Sequence, residues 1–326
     1  MTIKEIAKRA EVSSAAVSRY LNGGSLSEEK KERIRSVIEE TNYIPSMSAR
    51  TMRIGKSKQV GIIVPKINSE SISRMVAGIT KVLDQAEYSI ILGNTDNLPE
   101  KEQKFLGLFR SAQLDGVILI ATVMTQKHQE LLKSLEVPVV VLGQLFSAYS
   151  CVYYDDFHAA YEIAAELLKK SEKKIGYIGV TKKDRAVGLN RCRGFEKALE
   201  ETGKTWDQVV QEEAQFTVAS GRACMKRLLE REKDIDSVFC ATDSIAIGAM
   251  TWMKEQGIRI PQEVRITGVG HNLLSNVIEP PLTTVHYYYD TAGEEAANIL
   301  LSLINGGSQP VKQMMLGYEL MIRGTT

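Results

Sequence analysis

Thr2-Ile3-Lys4-Glu5-Ile6-Ala7-Lys8-Arg9-Ala10, followed by Val12-Ser13-Ser14-Ala15-Ala16-Val17-Ser18-Arg19-Tyr20-Leu21-Asn22-Gly23, sets the architecture of the N-terminal region. Thr2 with Glu5 three residues on reads as a capping box, and Ile3, Ile6, Ala7 and Ala10 form one apolar face at helical spacing. Glu11 and Val12 make the turn. Ser13 is then the next N-cap, with Ala16, Val17 and Leu21 on the buried face of a second helix. Ser14, Ala15, Ser18, Arg19 and Asn22 fall on the opposite face. Two short helices joined by a tight turn, the second small and polar outside, predict a helix-turn-helix whose second helix can lie in a major groove. A third helix follows, capped by Ser27, with Glu28 and Glu29 at its positive end and Ile34, Val37 and Ile38 closing a small core.

Charge is unevenly spread along the 326 residues. Net charge is only +1, yet residues 1–58 hold 12 Lys and Arg against 7 Glu, so the remainder is acidic on balance. That asymmetry suits an N-terminal module on phosphates and a body held away from them. A content of 44% hydrophobic and 25% charged residues is ordinary for a globular chain with a sizeable core. No apolar run approaches the ~20 residues needed to span a bilayer, and the N-terminus does not read as a signal peptide. Cys151, Cys192, Cys224 and Cys240 are dispersed without a CxxC pair, as expected of reduced packing residues in a cytoplasmic protein.

The ordered series Thr2-Ile3, Ala7, Ala10, Val12-Ser13, Val17-Ser18-Arg19, Leu21-Asn22, then Asn42-Tyr43 and Pro45, resembles the N-terminus of the lactose-repressor/galactose-repressor family of bacterial transcription factors. The resemblance implies that Ser14, Ala15 and Arg19 reach base edges, Arg19 bidentately to a guanine, while Ser13, Ser18 and Asn22 position phosphates. It also implies a hinge helix over 45–54 that orders when two copies pack over the operator's minor groove. There an apolar side chain wedges into the central base step. Met52 takes the wedge position, where the family usually has Leu, and Arg50 and Arg53 serve the phosphates or the groove.

From Gln59 the pattern changes. Val60-Gly61-Ile62-Ile63-Val64-Pro65 is a continuous apolar run of the kind that forms a strand buried on both faces. Further runs at 89–93, 116–120 and 139–142 alternate with helical stretches at 72–86, 101–112 and 127–135. The series then repeats, with helices at 159–170, 193–202, 219–232 and 245–256 and strands at 175–179, 237–241 and 264–268. This is a βαβ rhythm, and it predicts two successive doubly wound parallel-sheet halves. The resemblance continues in Pro280-Pro281-Leu282-Thr283-Thr284-Val285 and the ending at 316–323. It implies a periplasmic-binding-protein-like body with three crossovers, in which 292–305 returns to the first half. The expected organisation is a DNA-binding head over 1–58 and a ligand-binding and dimerisation domain over 59–326. Its N-subdomain comprises about 59–157 plus 290–315, and its C-subdomain about 158–289 plus 316–326.

In open parallel sheets, ligands sit beyond the carboxyl ends of the strands. Asn68, Ser69, Thr242 and Asp243 follow strands directly, and Tyr287 and Tyr289 lie just after the Thr-Thr-Val motif. Arg191 matches the family's ligand-binding Arg. Two positions depart from the family: Gly270 and Gly143 stand where Asp is usual, and His271 is left as a substitute hydrogen-bond partner. With those acidic acceptors missing and Lys182, Lys183 and Arg185 nearby, an anionic ligand such as a sugar phosphate becomes an alternative to a free sugar.

Enzyme signatures are lacking. His128, His158, His271 and His286 show no HExxH or metal spacing, and neither a GxSxG elbow nor a GxxxxGK[ST] loop is present. Asp155 and Asp156 are adjacent, and on one strand they would point to opposite faces. The sequence is therefore read as a repressor of the sucrose-operon or another sugar-utilisation type, without cofactor or metal. It would act as a homodimer on a palindromic operator and answer to a small-molecule effector. Only Gly324-Thr325-Thr326 follows Arg323, so a dimer without a tetramerising leucine heptad is expected. A purine-like co-repressor or a phosphoprotein partner stays open, and a sugar-binding transport protein or an enzyme is the remote alternative.

Overall fold

The computed structural model describes residues 1–21, 23–43, 56–306 and 310–326. Asn22 and the expected hinge helix with Arg50, Met52 and Arg53 lie outside the described residues. Met1–Lys58 and Gln59–Thr326 form two compact units.

In the first unit, α1 (Ile3–Arg9) opens with the capping box expected from Thr2 and Glu5. The Thr2 backbone N–H donates to Glu5 Oε2 at 2.7 Å, and the Glu5 N–H donates to Thr2 Oγ1 at 3.3 Å. Helix α2 (Ser14–Leu21) is capped by Ser13, whose Oγ accepts from the Ala16 N–H at 3.2 Å. Helix α3 (Glu28–Thr41) differs from expectation at its start: Ser27 makes no side-chain cap bond, and only its carbonyl accepts, from Lys31. The core is small. Ile6, Val17 and Ile34 are fully buried, with Ala7, Ala10 and Val37 around them.

In the second unit the first sheet is built from β1 (Gln59–Val64), α4 (Glu70–Gln85), β2 (Ser89–Asn94), α5 (Pro99–Ser111), β3 (Gly116–Ile120), α6 (Gln126–Lys133), β4 (Val139–Leu142) and β5 (Ser150–Tyr154). The second follows with α7 (Asp156–Leu168), β6 (Lys174–Gly179), α8 (Arg191–Glu201), β7 (Val209–Glu213), α9 (Val218–Arg231), β8 (Ile235–Cys240), α10 (Asp243–Glu255), β9 (Arg265–Thr267) and α11 (Leu273–Val277). The chain then runs through β10 (Thr284–Tyr287), α12 (Tyr289–Gly306), β11 (Gln313–Leu316) and β12 (Tyr318–Met321). The sheet orders are β11-β5-β4-β3-β1-β2 and β7-β6-β8-β9, with every pairing inside them parallel. β10 and β12 pair antiparallel. Thus α12 and β11 return to the first sheet, and the two sheets define two lobes.

Three departures from the sequence reading have simple causes. β2 was read with the doubly buried strands, but it is the sheet's edge, with Ile91 and Leu92 over a third exposed. β5, β7, β10, β11 and β12 were not anticipated. β7 reads Val-Val-Gln-Glu-Glu, an edge strand whose polar residues mask the apolar run. Asp155 and Asp156 are not on a strand. Asp155 caps α7, accepting from the His158 N–H at 3.2 Å, and Asp156 is the first helical residue.

The first lobe is clamped where α4 crosses α12. A Cβ at Gly78 would strike the Asp290 carbonyl, and one at Gly293 would strike the Met75 carbonyl. Only two glycines let these backbones come that close. Arg74 locks the same crossing through Asp290, with Nη2–Oδ2 at 2.7 Å.

Candidate functional site

On the first unit, Ser13, Ser14, Ala15 and Arg19 are exposed while Ala16 and Val17 of the same helix are buried. The face is small, which lets a helix approach base edges closely. Among the described residues no carboxylate pairs with Arg19. By contrast, Lys31, Arg33 and Arg35 on α3 each already face a Glu. Arg19 therefore stands on the helix's outer face with no ion pair among the described residues.

In the second unit a cavity of about 500 Å³ lies where the C-terminal ends of both sheets face each other. Pro65, Ala121 and Gly143 border it just beyond β1, β3 and β4. Phe216, Thr242 and Val269 border it beyond β7, β8 and β9. Asn68, Ser69, Arg191, Thr242, Asp243 and Tyr289, expected from sequence, all line it.

Arg191 is the electrostatic centre. It is buried, its Nε donating to Asp156 Oδ1 at 2.7 Å and its Nη1 to the Ala241 carbonyl at 2.7 Å. Nη2 has no acceptor among the described residues. Its carbon lies 5.4 Å from the centre of the Tyr287 ring. Burial works against this charge, but Asp156 and Tyr287 hold its pKa above the usual arginine value. Asp156 also accepts from Tyr287 Oη at 3.2 Å.

Asp243 is bound into the protein. Its Oδ2 accepts from the Asn272 N–H at 2.7 Å and its Oδ1 from Thr284 Oγ1 at 2.5 Å, while burial raises its pKa to about 6. The neighbouring Thr242 Oγ1 caps α10 through the Ile245 N–H at 3.4 Å. Asp184 is likewise buried, and burial raises its pKa to about 6. Its Oδ1 accepts from the Val187 N–H at 3.0 Å and from Gln144 Nε2 at 3.2 Å. Gln144 follows β4 and Asp184 follows β6, so this bond spans the lobes. A second one joins the Glu70 carboxylate to the Leu273 N–H at 2.9 Å.

Several expectations are corrected by the geometry. Tyr287 is wholly buried behind Arg191 and does not line the cavity. His271 does not line it either, although Gly270 and Asn272 on each side do. Its Nδ1 lies 2.8 Å from His286 Nδ1, and its Nε2 lies 2.8 Å from Arg323 Nη2. Lys182, Lys183 and Arg185 are also absent from the cavity wall. Lys183 and Arg185 face a separate recess.

Nor is the cavity short of acids. Glu70, Asp156, Asp184 and Asp243 line it against Lys66 and Arg191. The two glycines that replace family aspartates do fit the backbone: Gly143 has φ +91° and Gly270 φ +134°, where a side chain is strained.

Sequence reasoning missed Gln144, Tyr154, Asp156 and Asp184. Gln144 Oε1 and Tyr154 Oη are buried without a partner among the described residues. The Tyr154 ring packs edge-on to Tyr289 at 5.5 Å. Gln144, Asp156 and Asp184 lie within five residues after a strand and Tyr154 ends one, which is the one signal that could have found them.

Among the described residues no cluster of His, Cys, Asp and Glu suits a metal, and no helix is long and apolar enough to cross a membrane. The four cysteines are free and buried.

Comparison with known proteins agrees with both units. Residues 2–46 match bacterial regulatory proteins of the lacI family, and residues 164–326 match a periplasmic binding protein-like domain. The HTH-type transcriptional repressor PurR of Haemophilus influenzae (strain PittEE) is 32% identical, over 99% of this chain and 97% of its own. The sucrose operon repressor of Staphylococcus xylosus is 30% identical over 93% of each. The lac repressor dimer bound to operator shares the fold at a TM-score of 0.87, with 21% identity, over 100% of this chain and 98% of its own. The chain belongs to the lacI family of bacterial regulatory proteins and is a DNA-binding transcriptional regulator, not an enzyme.

Proposed function

We propose that this regulator is a repressor of a carbohydrate-utilisation operon and that a small, neutral, polyhydroxylated effector in the 500 Å³ cavity controls its operator affinity. The observation that carries the effector class is the mixture in the cavity wall. Carboxylates outnumber cations, and Arg191 keeps Nη2 uncommitted. Tyr154 Oη lacks a partner among the described residues, and the Tyr154, Tyr289 and Phe216 rings offer apolar faces. A sugar needs such a wall: its hydroxyls donate to acids and amides, its ring oxygen and hydroxyls accept from Arg, and its CH patches lie on aromatic rings. A phosphate would meet an excess of negative charge there.

In this reading the functional division of the body follows the two lobes, about 59–157 plus 290–315 and 158–289 plus 316–326. The regulator works as a homodimer on a palindromic operator. Ser14, Ala15 and Arg19 read bases, Ser13, Ser18 and Asn22 hold phosphates, and Arg50, Met52 and Arg53 act through the hinge. Ligand shifts the lobes and so changes the spacing of the two heads. Its preference for one lobe arrangement must exceed the ~1–3 kcal/mol that couples cavity to operator. A purine-like co-repressor is the second reading, supported by the aromatic rings beside Arg191.

The test is thermal unfolding of the full chain against neutral sugars, sugar phosphates and purine bases, followed by operator binding with each hit. A ligand at ~100 times its Kd adds ~2.7 kcal/mol and moves the midpoint visibly. A neutral sugar that shifts both midpoint and operator affinity supports the proposal. A response confined to purine bases would replace it with the second reading.

A further inference from the structure

A second recess, of about 260 Å³, shares Gln144 with the main cavity. Lys133 at the end of α6 reaches it from the first lobe, and Lys183 and Arg185, after β6, reach it from the second. No carboxylate lines it. Among the described residues none of these three cations forms an ion pair, although surface pairs are frequent elsewhere on the body. Two acids close in sequence to these cations are already engaged. Asp184 turns to Val187 and Gln144 and lines the main cavity, and Glu130 accepts from Gln126 Nε2 at 3.1 Å.

The recess wall also carries two buried polar atoms without a partner among the described residues, Gln144 Oε1 and Tyr149 Oη. Gln144 is only 3% exposed, so bulk water does not satisfy it. A buried acceptor and a buried donor left idle are costly unless a ligand completes them. Three converging like charges repel each other until an anion joins them.

We propose that this recess is a second ligand site, distinct from the effector cavity, that takes a small phosphate ester. The phosphoryl oxygens accept from Lys133, Lys183, Arg185 and the Tyr149 hydroxyl, and a hydroxyl of the same molecule donates to Gln144 Oε1. At ~30 Å³ per water, the recess exceeds what a bare phosphate needs. Since its cations come from both lobes, the ester favours the same lobe arrangement that the Gln144–Asp184 bond holds. The site stands whichever ligand the main cavity takes, so its failure and that of the sugar proposal are separable.

The experiment is calorimetric titration and thermal unfolding of the full chain with glucose 6-phosphate, fructose 1,6-bisphosphate, inorganic phosphate and glucose. An ester is expected to bind and to weaken as salt rises. The double variant Lys183→Gln, Arg185→Gln alters only exposed side chains. It should keep the unliganded midpoint and lose at least tenfold in ester affinity. Val218→Trp, which obstructs the main cavity from an exposed position, should leave ester binding unchanged. The proposal is overturned if no ester binds, if the double variant binds it as tightly, or if Val218→Trp abolishes it. Inorganic phosphate binding as tightly as the esters would overturn the ester assignment.

Discussion

Arg191 Nε and Asp156 Oδ1 meet at 2.7 Å with 5% and 3% of the two residues exposed, and they bring α8 and α7 together at the cavity between the lobes. A buried charge survives only when paired and hydrogen-bonded, and this one has Asp156, the Ala241 carbonyl and the Tyr287 ring around it. The pair fixes a guanidinium edge at the point where a ligand would end.

Breaking that pair from either side leaves one charge stranded. Asp156→Ala is expected to cost about 3–5 kcal/mol in urea unfolding. Asp156→Ala combined with Arg191→Met should cost less than the sum of the singles, measured as a double-mutant cycle. Additive losses would mean the two residues stabilise the fold separately.

Arg19→Ala should leave the unfolding midpoint unchanged, since the side chain is exposed and has no ion pair among the described residues. Operator affinity should fall by ~1–3 kcal/mol, with relaxed discrimination at one base per half-site. Fluorescence anisotropy against single-base operator variants reads both. Equal weakening on every sequence would assign Arg19 to phosphate contact instead.

Glu102 is buried, its Oε1 lacks a hydrogen bond among the described residues, and burial raises its pKa to about 7. Its folded value lies above the unfolded one, so the folded state binds the extra proton. Stability from that proton is present below about pH 4.5 and is lost as pH rises to about 7, on the order of 2–3 kcal/mol. Glu102→Gln should therefore gain on the wild type between pH 4.5 and 8 in paired thermal scans. A constant difference across that range would contradict the assignment.

Gly293→Ala separates two opposing effects. Alanine favours a helix interior by roughly 0.5–1 kcal/mol over glycine, yet the new methyl would strike the Met75 carbonyl on α4. Overpacking of this kind costs about 1–3 kcal/mol, so net destabilisation is expected in denaturant unfolding. Gly107 is the control: nothing lies within reach of an added Cβ there, and Gly107→Ala should stabilise or be neutral.

Local signals carried the helices of the head among the described residues. The Thr2–Glu5 capping box, the Ser13 cap and the Ile6, Val17 and Ile34 core depend on residues a few positions apart in a unit of 58 residues. The parallel strands of the body were equally legible where both faces are buried, as in Val117-Ile118-Leu119 of β3. β7, at the edge of the second sheet, was not, because its polar residues interrupt the apolar run.

Sequence order alone was enough to establish two units, a helix-turn-helix with Arg19 on its outer face and a body of two parallel sheets, since helix and strand periods are local properties. It also indicated that ligand contacts follow strands. Which of those contacts converge was decided only in three dimensions. Asp156 and Arg191, 35 residues apart, meet, and Gln144 finds Asp184 across the lobes. Tyr287 and His271 turn away from the cavity, and Lys183 and Arg185 open onto a recess of their own. Periodicity assigns a side chain to a face of its own element, but the packing of one lobe against the other determines what that face meets.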